Sequence, residues 1–253
     1  MRQDQIALQL YTLRRLAAAD LPGTLRSVAA AGYRSVEIAG LPDVEPDELR
    51  RMLEDNGLRA IASHVGIERF REDAGAAAGR LAALGCPRAI VPSMPEEDRA
   101  TVDDVRRFAS ELGRHARRLS EDEIGLGYHN HSFEFEPLDG TTVWDVLVAG
   151  LPPGIDLELD VFWASVGGRD PIEEIAATGD RVRLLHMKDR APDSVPRDAP
   201  AGAGTLPFAG IVDAGRVAGV EWYIVEQDEP VDPLLDVATS YRFLESLAIG
   251  AWA

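Results

Sequence analysis

Cysteine is nearly absent from this chain. Cys86 is the only one among 253 residues, so no internal disulfide can form, which fits a reducing compartment. Its place between a helical stretch and a strand reads as a small buried hydrophobe rather than a reactive thiol. Long apolar runs are missing too, and none approaches the roughly 18 residues that a membrane helix needs. The opening Met1-Arg2-Gln3-Asp4-Gln5 enters a strand-like run at once, without the charged-then-apolar order of a signal peptide. A cytoplasmic protein with no membrane partner is the expectation. Positive charge is also scarce: 26 Lys and Arg face 43 Asp and Glu, a net charge of −17. A nucleic-acid backbone requires clustered cations to replace its counterions, so composition argues against such a partner. What remains is an ordinary globular composition, long enough to bury a proper core.

The pattern that is present is one unit repeated. Short apolar runs at Ile6–Leu10, Ser35–Ile38, Arg59–Ser63, Ala89–Pro92, Gly125–His129, Asp156–Asp160, Leu184–Met187 and Trp222–Glu226 alternate with helical stretches. Their near-continuous apolar character is that of strands covered on both faces. Pro22, Pro46 and the pair Asp170-Pro171 suit helix starts, and Gly32, Gly57 and Gly85 suit helix stops. Eight such units in about 250 residues predict a (β/α)₈ TIM barrel occupying 1–253 as a single domain, with a doubly wound open sheet as the rival. The longest irregular stretch, Asp189–Leu206, follows the seventh strand. Two readings stay open for it, a lid over the barrel mouth or a loose surface insertion.

Chemistry in such a barrel sits at the C-terminal strand ends. Here those ends carry Glu37, His64, His129-Asn130-His131, Asp160, His186-Met187-Lys188-Asp189 and Glu226-Gln227-Asp228, with Glu134 just past the fifth strand. Four of the five histidines fall at these ends, and only His115 lies elsewhere, on a helix. Carboxylates and imidazoles converging on one mouth offer borderline-hard ligands for Mn²⁺, Co²⁺, Zn²⁺ or Mg²⁺. Asp160, His186 and Glu226 come from consecutive strands and can meet without long reaches. Taken singly, Asp160 also reads as a helix cap and Glu226 as a surface charge.

These motifs resemble the xylose isomerase-like barrels, which include sugar-phosphate isomerases and epimerases, inosose dehydratase and endonuclease IV. The resemblance covers nearly the whole chain. It is carried by Gly32-Tyr33-Arg34-Ser35-Val36-Glu37, Tyr128-His129-Asn130-His131-Ser132-Phe133-Glu134-Phe135, Leu159-Asp160-Val161-Phe162-Trp163, Asp170-Pro171, His186-Met187-Lys188-Asp189 and Val225-Glu226-Gln227-Asp228. It implies one divalent metal held by Glu, Asp, His and Glu from strands five to eight. Asp160, His186 and Glu226 match the last three. The fifth strand departs by ending in His129, so either Glu134 folds back as the fourth ligand, the favoured reading, or His129 takes the place.

The implied activity is a sugar isomerase or epimerase acting on a small keto-sugar or cyclitol through an enediolate. A keto-sugar lyase or dehydratase is the alternative. A homo-oligomer is compatible with either. Candidate acid–base groups are His131, Glu226 and Lys188, and Lys188 also reads as a structural ion pair with Asp189. Glu37, His64 and His129 stand as substrate-binding residues. Trp163 offers either an aromatic face to a sugar or core packing. A phosphate handle has little support beyond Gly202-Ala203-Gly204.

Overall fold

The computed structural model describes residues 1–193 and 195–250, the last two of these by backbone alone. Eight parallel strands close into a barrel: β1 (Ile6–Gln9), β2 (Ser35–Ile38), β3 (Arg59–His64), β4 (Arg88–Val91), β5 (Gly125–His129), β6 (Ile155–Asp160), β7 (Val182–His186) and β8 (Trp222–Val225). Each strand pairs with its sequence neighbours, and β8 returns to β1. The expected TIM barrel is therefore the observed one. The open sheet is ruled out because β1 bonds both β2 and β8. Strand β7 begins two residues earlier than its apolar run suggests, since Val182 and Arg183 extend it on the N-terminal side.

Side-chain alternation sorts the strands into an inner and an outer set, interrupted in β3, where a register shift against β2 brings the adjacent Ile61 and Ala62 into one cluster. Ala7, Ile61, Ala62, Ile90, Leu184 and Ile224 form the apolar plug inside the barrel. Leu8, Val36, Tyr128, Leu157, Leu159, Leu185 and Tyr223 belong to the larger core between barrel and helices. Two residues further along the inward rows, the plug gives way to polar groups: Gln9 after Ala7, His186 after Leu184 and Glu226 after Ile224. At the opposite end, Arg88 lies 2.7 Å from Asp156 and 2.9 Å from Glu221. The plug thus separates two polar floors, and only the C-terminal one collects histidines.

Helices cover the outside, but not one per strand. Two follow β1, α1 (Arg14–Ala19) and α2 (Leu21–Ala30). Single helices follow β2 to β5: α3 (Pro46–Asp55), α4 (Ile67–Leu84), α5 (Val102–Ser120) and α6 (Val143–Gly150). Two follow β6, α7 (Val161–Val166) and α8 (Pro171–Thr178). Then come α9 (Phe208–Ala218) and α10 (Pro233–Gly250). The start signals act as their chemistry requires: the Asp170 carboxylate accepts from the Ile172 N–H at 2.8 Å, with Pro171 opening α8. Gly85 ends α4 at φ +72°, a left-handed conformation that favours glycine. Among the described residues no helix is long and apolar enough to cross a membrane. Cys86 is buried as expected, and burial pushes its thiol up to about 12.

The stretch after β7 is a built loop. Asp189–Arg190 pairs antiparallel with Asp198–Ala199. The Asp189 carboxylate accepts from the N–H groups of Gly202, Gly204 and Leu206 at 2.9–3.0 Å. Asp198 reaches back to accept from the N–H groups of Asp228 and Glu229, tying this loop to the one after β8. The described residues of the stretch are therefore tied down at two places, by Asp189 to the loop's own backbone donors and by Asp198 to those after β8.

The apolar plug generates the first prediction. Leu184 is fully buried within it, so Leu184→Ala is expected to cost about 2–5 kcal/mol of stability. Urea unfolding checks this as a lowered midpoint at unchanged slope.

Candidate metal centre

Asp160 ends β6 and does two jobs. Its Oδ1 accepts from the Trp163 N–H at 2.9 Å and so caps α7. Its buried Oδ2 lies 3.1 Å from Lys188 Nζ but accepts no well-directed hydrogen bond. The Asn130 side chain holds this strand end: it accepts from the Asp160 N–H at 2.9 Å and donates to the Asp160 carbonyl at 3.5 Å. His186, closing β7, presents Nδ1 at 2.8 Å from Glu226 Oε2 and 4.0 Å from Asp160 Oδ2. These three residues have donor atoms mutually within 4.8 Å.

A second cluster lies against the first. His64 Nε2, His129 Nδ1 and His186 Nε2 approach one oxygen, Glu158 Oε2, at 2.8, 3.0 and 3.1 Å. His186 Nε2 also lies 2.8 Å from Glu37 Oε2, which accepts from Gln9 Nε2 at 2.9 Å. Lys188 is fully buried and pairs with Asp160, with Glu226 at 2.9 Å and with Asp228 at 2.8 Å.

Burial and charge pull against each other throughout. Burial, reinforced by neighbouring Glu158, pushes Glu37 up to about 7. Burial also raises Asp160 to about 6, despite Lys188 and His186. For Glu226 burial is outweighed by Lys188, His186 and His129, so it is held well below the usual carboxylate range. Glu158 is likewise held low, because its three histidines outweigh its burial. Burial opposes the charged form of Lys188, yet Asp160, Glu226 and Asp228 overcome it and keep the ammonium protonated. His131 goes the other way: burial, then the Lys188 charge, lowers it to about 4.

The donor set fits a divalent cation. Buried oxygens of Glu37, Glu158 and Asp160 have no hydrogen-bond partner, and such groups are costly unless something else satisfies them. Carboxylate and imidazole donors from neighbouring strands are the ligand types such an ion takes.

The sequence-derived residues mostly meet here. Glu37, His64, His129, Asp160, His186, Lys188 and Glu226 converge at one mouth. His131 and Trp163 form its rim, with ring centroids 5.7 Å apart. Trp163 is half-buried, its Nε1 lacks a hydrogen-bond partner, and Lys188 Nζ lies 5.4 Å from its ring. Glu134 requires a correction. Instead of folding back as a ligand, it points away, with Oε1 accepting from the Tyr128 hydroxyl at 2.6 Å and Oε2 from the His131 N–H at 2.8 Å. Each oxygen accepts one hydrogen bond, and among the described residues His129, not Glu134, is the fifth-strand residue whose donor atom joins a cluster. The pairing of Lys188 with Asp189 is also corrected, since Asp189 serves the loop amides. Sequence reasoning missed Glu158 and gave no role to Gln9 or Asn130. For Glu158 a signal existed: Asp156-Leu157-Glu158-Leu159-Asp160 alternates acid and leucine, which puts Glu158 on the same face as Asp160.

A closed parallel barrel with carboxylate and imidazole donors at its C-terminal mouth defines a class, and comparison with known proteins identifies it. The chain belongs to the xylose isomerase-like TIM barrel family, matched over residues 25–247. It is 28% identical over 207 residues to inosose dehydratase of Geobacillus kaustophilus (strain HTA426), a match covering 67% of this chain. The chain spans about 65% of the length of that relative. A sugar phosphate isomerase/epimerase from Parabacteroides distasonis ATCC 8503 superposes with a TM-score of 0.84 at 26% identity, covering 95% of this chain and 93% of the other. The IolI protein with a bound zinc atom shares the fold, with a TM-score of 0.77 at 13% identity over 98% of this chain and 99% of that one.

Ligand and support make different predictions. Asp160→Ala is expected to abolish stoichiometric binding of a divalent ion, whereas Glu134→Gln is expected to leave it intact. Elemental analysis of the purified variants separates the two.

Proposed function

We propose that this chain is a divalent-metal-dependent isomerase or epimerase acting on an unphosphorylated keto-sugar or keto-cyclitol, by moving a proton on the carbon beside the carbonyl. The observation that carries this reading is His131, whose buried Nδ1 lacks a hydrogen-bond partner and whose ring lies 5.0 Å from that of His129 and 5.7 Å from that of Trp163 at the mouth; burial, then the Lys188 charge, lowers its pKa to about 4. His129, Asp160, His186 and Glu226 would hold the cation. Bound there, the ion supplies Lewis-acid polarisation of the substrate carbonyl.

The chain's own residues do the rest. His131 Nδ1 takes the proton from carbon, because burial keeps the ring unprotonated at neutral pH. Glu134 positions that ring through the His131 backbone N–H. The Lys188 ammonium, fixed by its carboxylates, donates a hydrogen bond to the oxygen on which charge develops. Trp163 and Phe133, whose ring is nearly parallel to that of His131, line the rim as an apolar face for a sugar. Return of the proton to the neighbouring carbon isomerises the sugar, and return to the opposite face epimerises it. Glu37 and His64 remain as hydroxyl-binding groups on the far side of the cluster.

Support for an unphosphorylated substrate comes from Asp189. The backbone donors of Gly202, Gly204 and Leu206, the natural cradle for a phosphate after the seventh strand, already hold its carboxylate.

A lyase outcome is the second reading, favoured by the unlike pair of neutral His131 and protonated Lys188. His131 takes the carbon-bound proton, the electron pair forms the double bond, and the β-hydroxyl leaves as water with a proton from Lys188. The inosose dehydratase relative supports the same chemistry.

The test is a panel of keto-sugars and inososes with Mn²⁺ in deuterated water. Deuterium incorporation is expected from the free sugars and not from their phosphates. An isomer or epimer as product supports the first reading and an unsaturated product the second. His131→Gln is expected to lose the exchange and to cut turnover by roughly 10²–10⁴, while cation stoichiometry stays the same.

A further inference from the structure

Glu158 stands apart from the functional assignment above. It is a fully buried carboxylate that neither reading of the reaction uses, yet three imidazoles converge on one of its oxygens. An imidazole binds a cation through the nitrogen that carries a lone pair. Which nitrogen that is depends on the hydrogen bond made by the other.

The two rings nearest the donor set meet Glu158 through opposite atoms. His129 presents Nδ1 at 3.0 Å, and His186 presents Nε2 at 3.1 Å. Protons on those atoms leave the lone pairs on His129 Nε2 and His186 Nδ1. The second of these is the atom that faces Glu226 at 2.8 Å and Asp160 at 4.0 Å.

We infer that Glu158 is the positioning residue of the metal centre: through one oxygen it sets opposite tautomers in His129 and His186 and orients both rings toward the cation. This rests on the functional reading that His129, Asp160, His186 and Glu226 hold a divalent ion. Glu37 shares the same nitrogen of His186, at 2.8 Å, but its hydrogen bonds and ion pairs among the described residues go to Gln9, His64 and His186, so the acceptor common to His129 and His186 is Glu158. The centroids of His129 and His186 lie 4.6 Å apart at 58°, so neither ring is stacked flat on the other, and the common acceptor sets their relation. Backbone geometry helps Glu158 reach both, since β6 pairs with β5 and β7, with His129 opposite Glu158 and His186 opposite Asp160.

The experiment has two arms, with Zn²⁺ as the probe. In the first, long-range ¹H–¹⁵N correlation on the zinc-loaded wild-type chain reads the histidine tautomers directly and needs no variant. The expected result is His129 protonated at Nδ1 and His186 at Nε2. In the second, calorimetry compares the wild type with Glu158→Gln. The expected result is one zinc per chain in both, with affinity roughly 10–100-fold lower in the variant, the usual loss when a partner behind a metal ligand is removed. Zinc bound with both histidines protonated at the same atom, or with unchanged affinity in Glu158→Gln, overturns the inference alone. Two zinc ions in the wild type and one in Glu158→Gln also overturn it, because Glu158 would then be a ligand. A wild-type chain that binds no zinc overturns the functional reading and this inference together.

Discussion

The mouth of this barrel depends on the balance of buried negative charge. Glu37, Glu158, Asp160 and Glu226 are all buried there, with half-exposed Asp228 beside them. Removing an ion from water costs several kcal/mol even after relaxation, so such a group persists only where opposite charge or hydrogen-bond donors meet it. The structure divides that task. Lys188 serves the outer carboxylates, and the histidines serve Glu158 and Glu37. Asp160 Oδ2 is left without a hydrogen bond, and the cation of the proposed function would complete it.

The segment after the fifth strand shows how closely scaffold and chemistry are interleaved. His129 faces the cluster, Asn130 clamps the end of β6, and His131 stands at the rim with an unpartnered nitrogen. Glu134 then returns to hold the His131 backbone, while the Tyr128 hydroxyl occupies its other oxygen. Four polar residues within six positions thus take four different roles. Only their order along the chain and the end of the strand at His129 separate those roles. A similar economy appears after the seventh strand, where Asp189 fills a nest of backbone amides that elsewhere would suit an anion.

The fold was legible because its signals are local and repeated. Apolar runs of strand length recur eight times, helix-start prolines and helix-stop glycines mark several of the helices between them, and each signal reports on a few adjacent residues. The convergence of Asp160, His186 and Glu226 was legible as well, since consecutive parallel strands in register bring their C-terminal ends together. The doubling of helices after β1 and β6 was less visible, because short helices carry too few turns for a clear period.

By itself, then, the sequence determined the barrel and the residue types gathered at its C-terminal mouth, because strand alternation and chain order translate directly into position. It also contained the alternating acids that place Glu158 beside Asp160. Only the tertiary structure decided which atoms face which. Glu134 is satisfied by Tyr128 and a backbone N–H, Lys188 is claimed by three carboxylates rather than by its neighbour Asp189, and Glu158 is shared by histidines from three strands. The physical reason is that a buried polar side chain takes whichever partner compensates its lost hydration at the lowest cost. That partner is set by distances between strands far apart in sequence, which no local pattern of residues records.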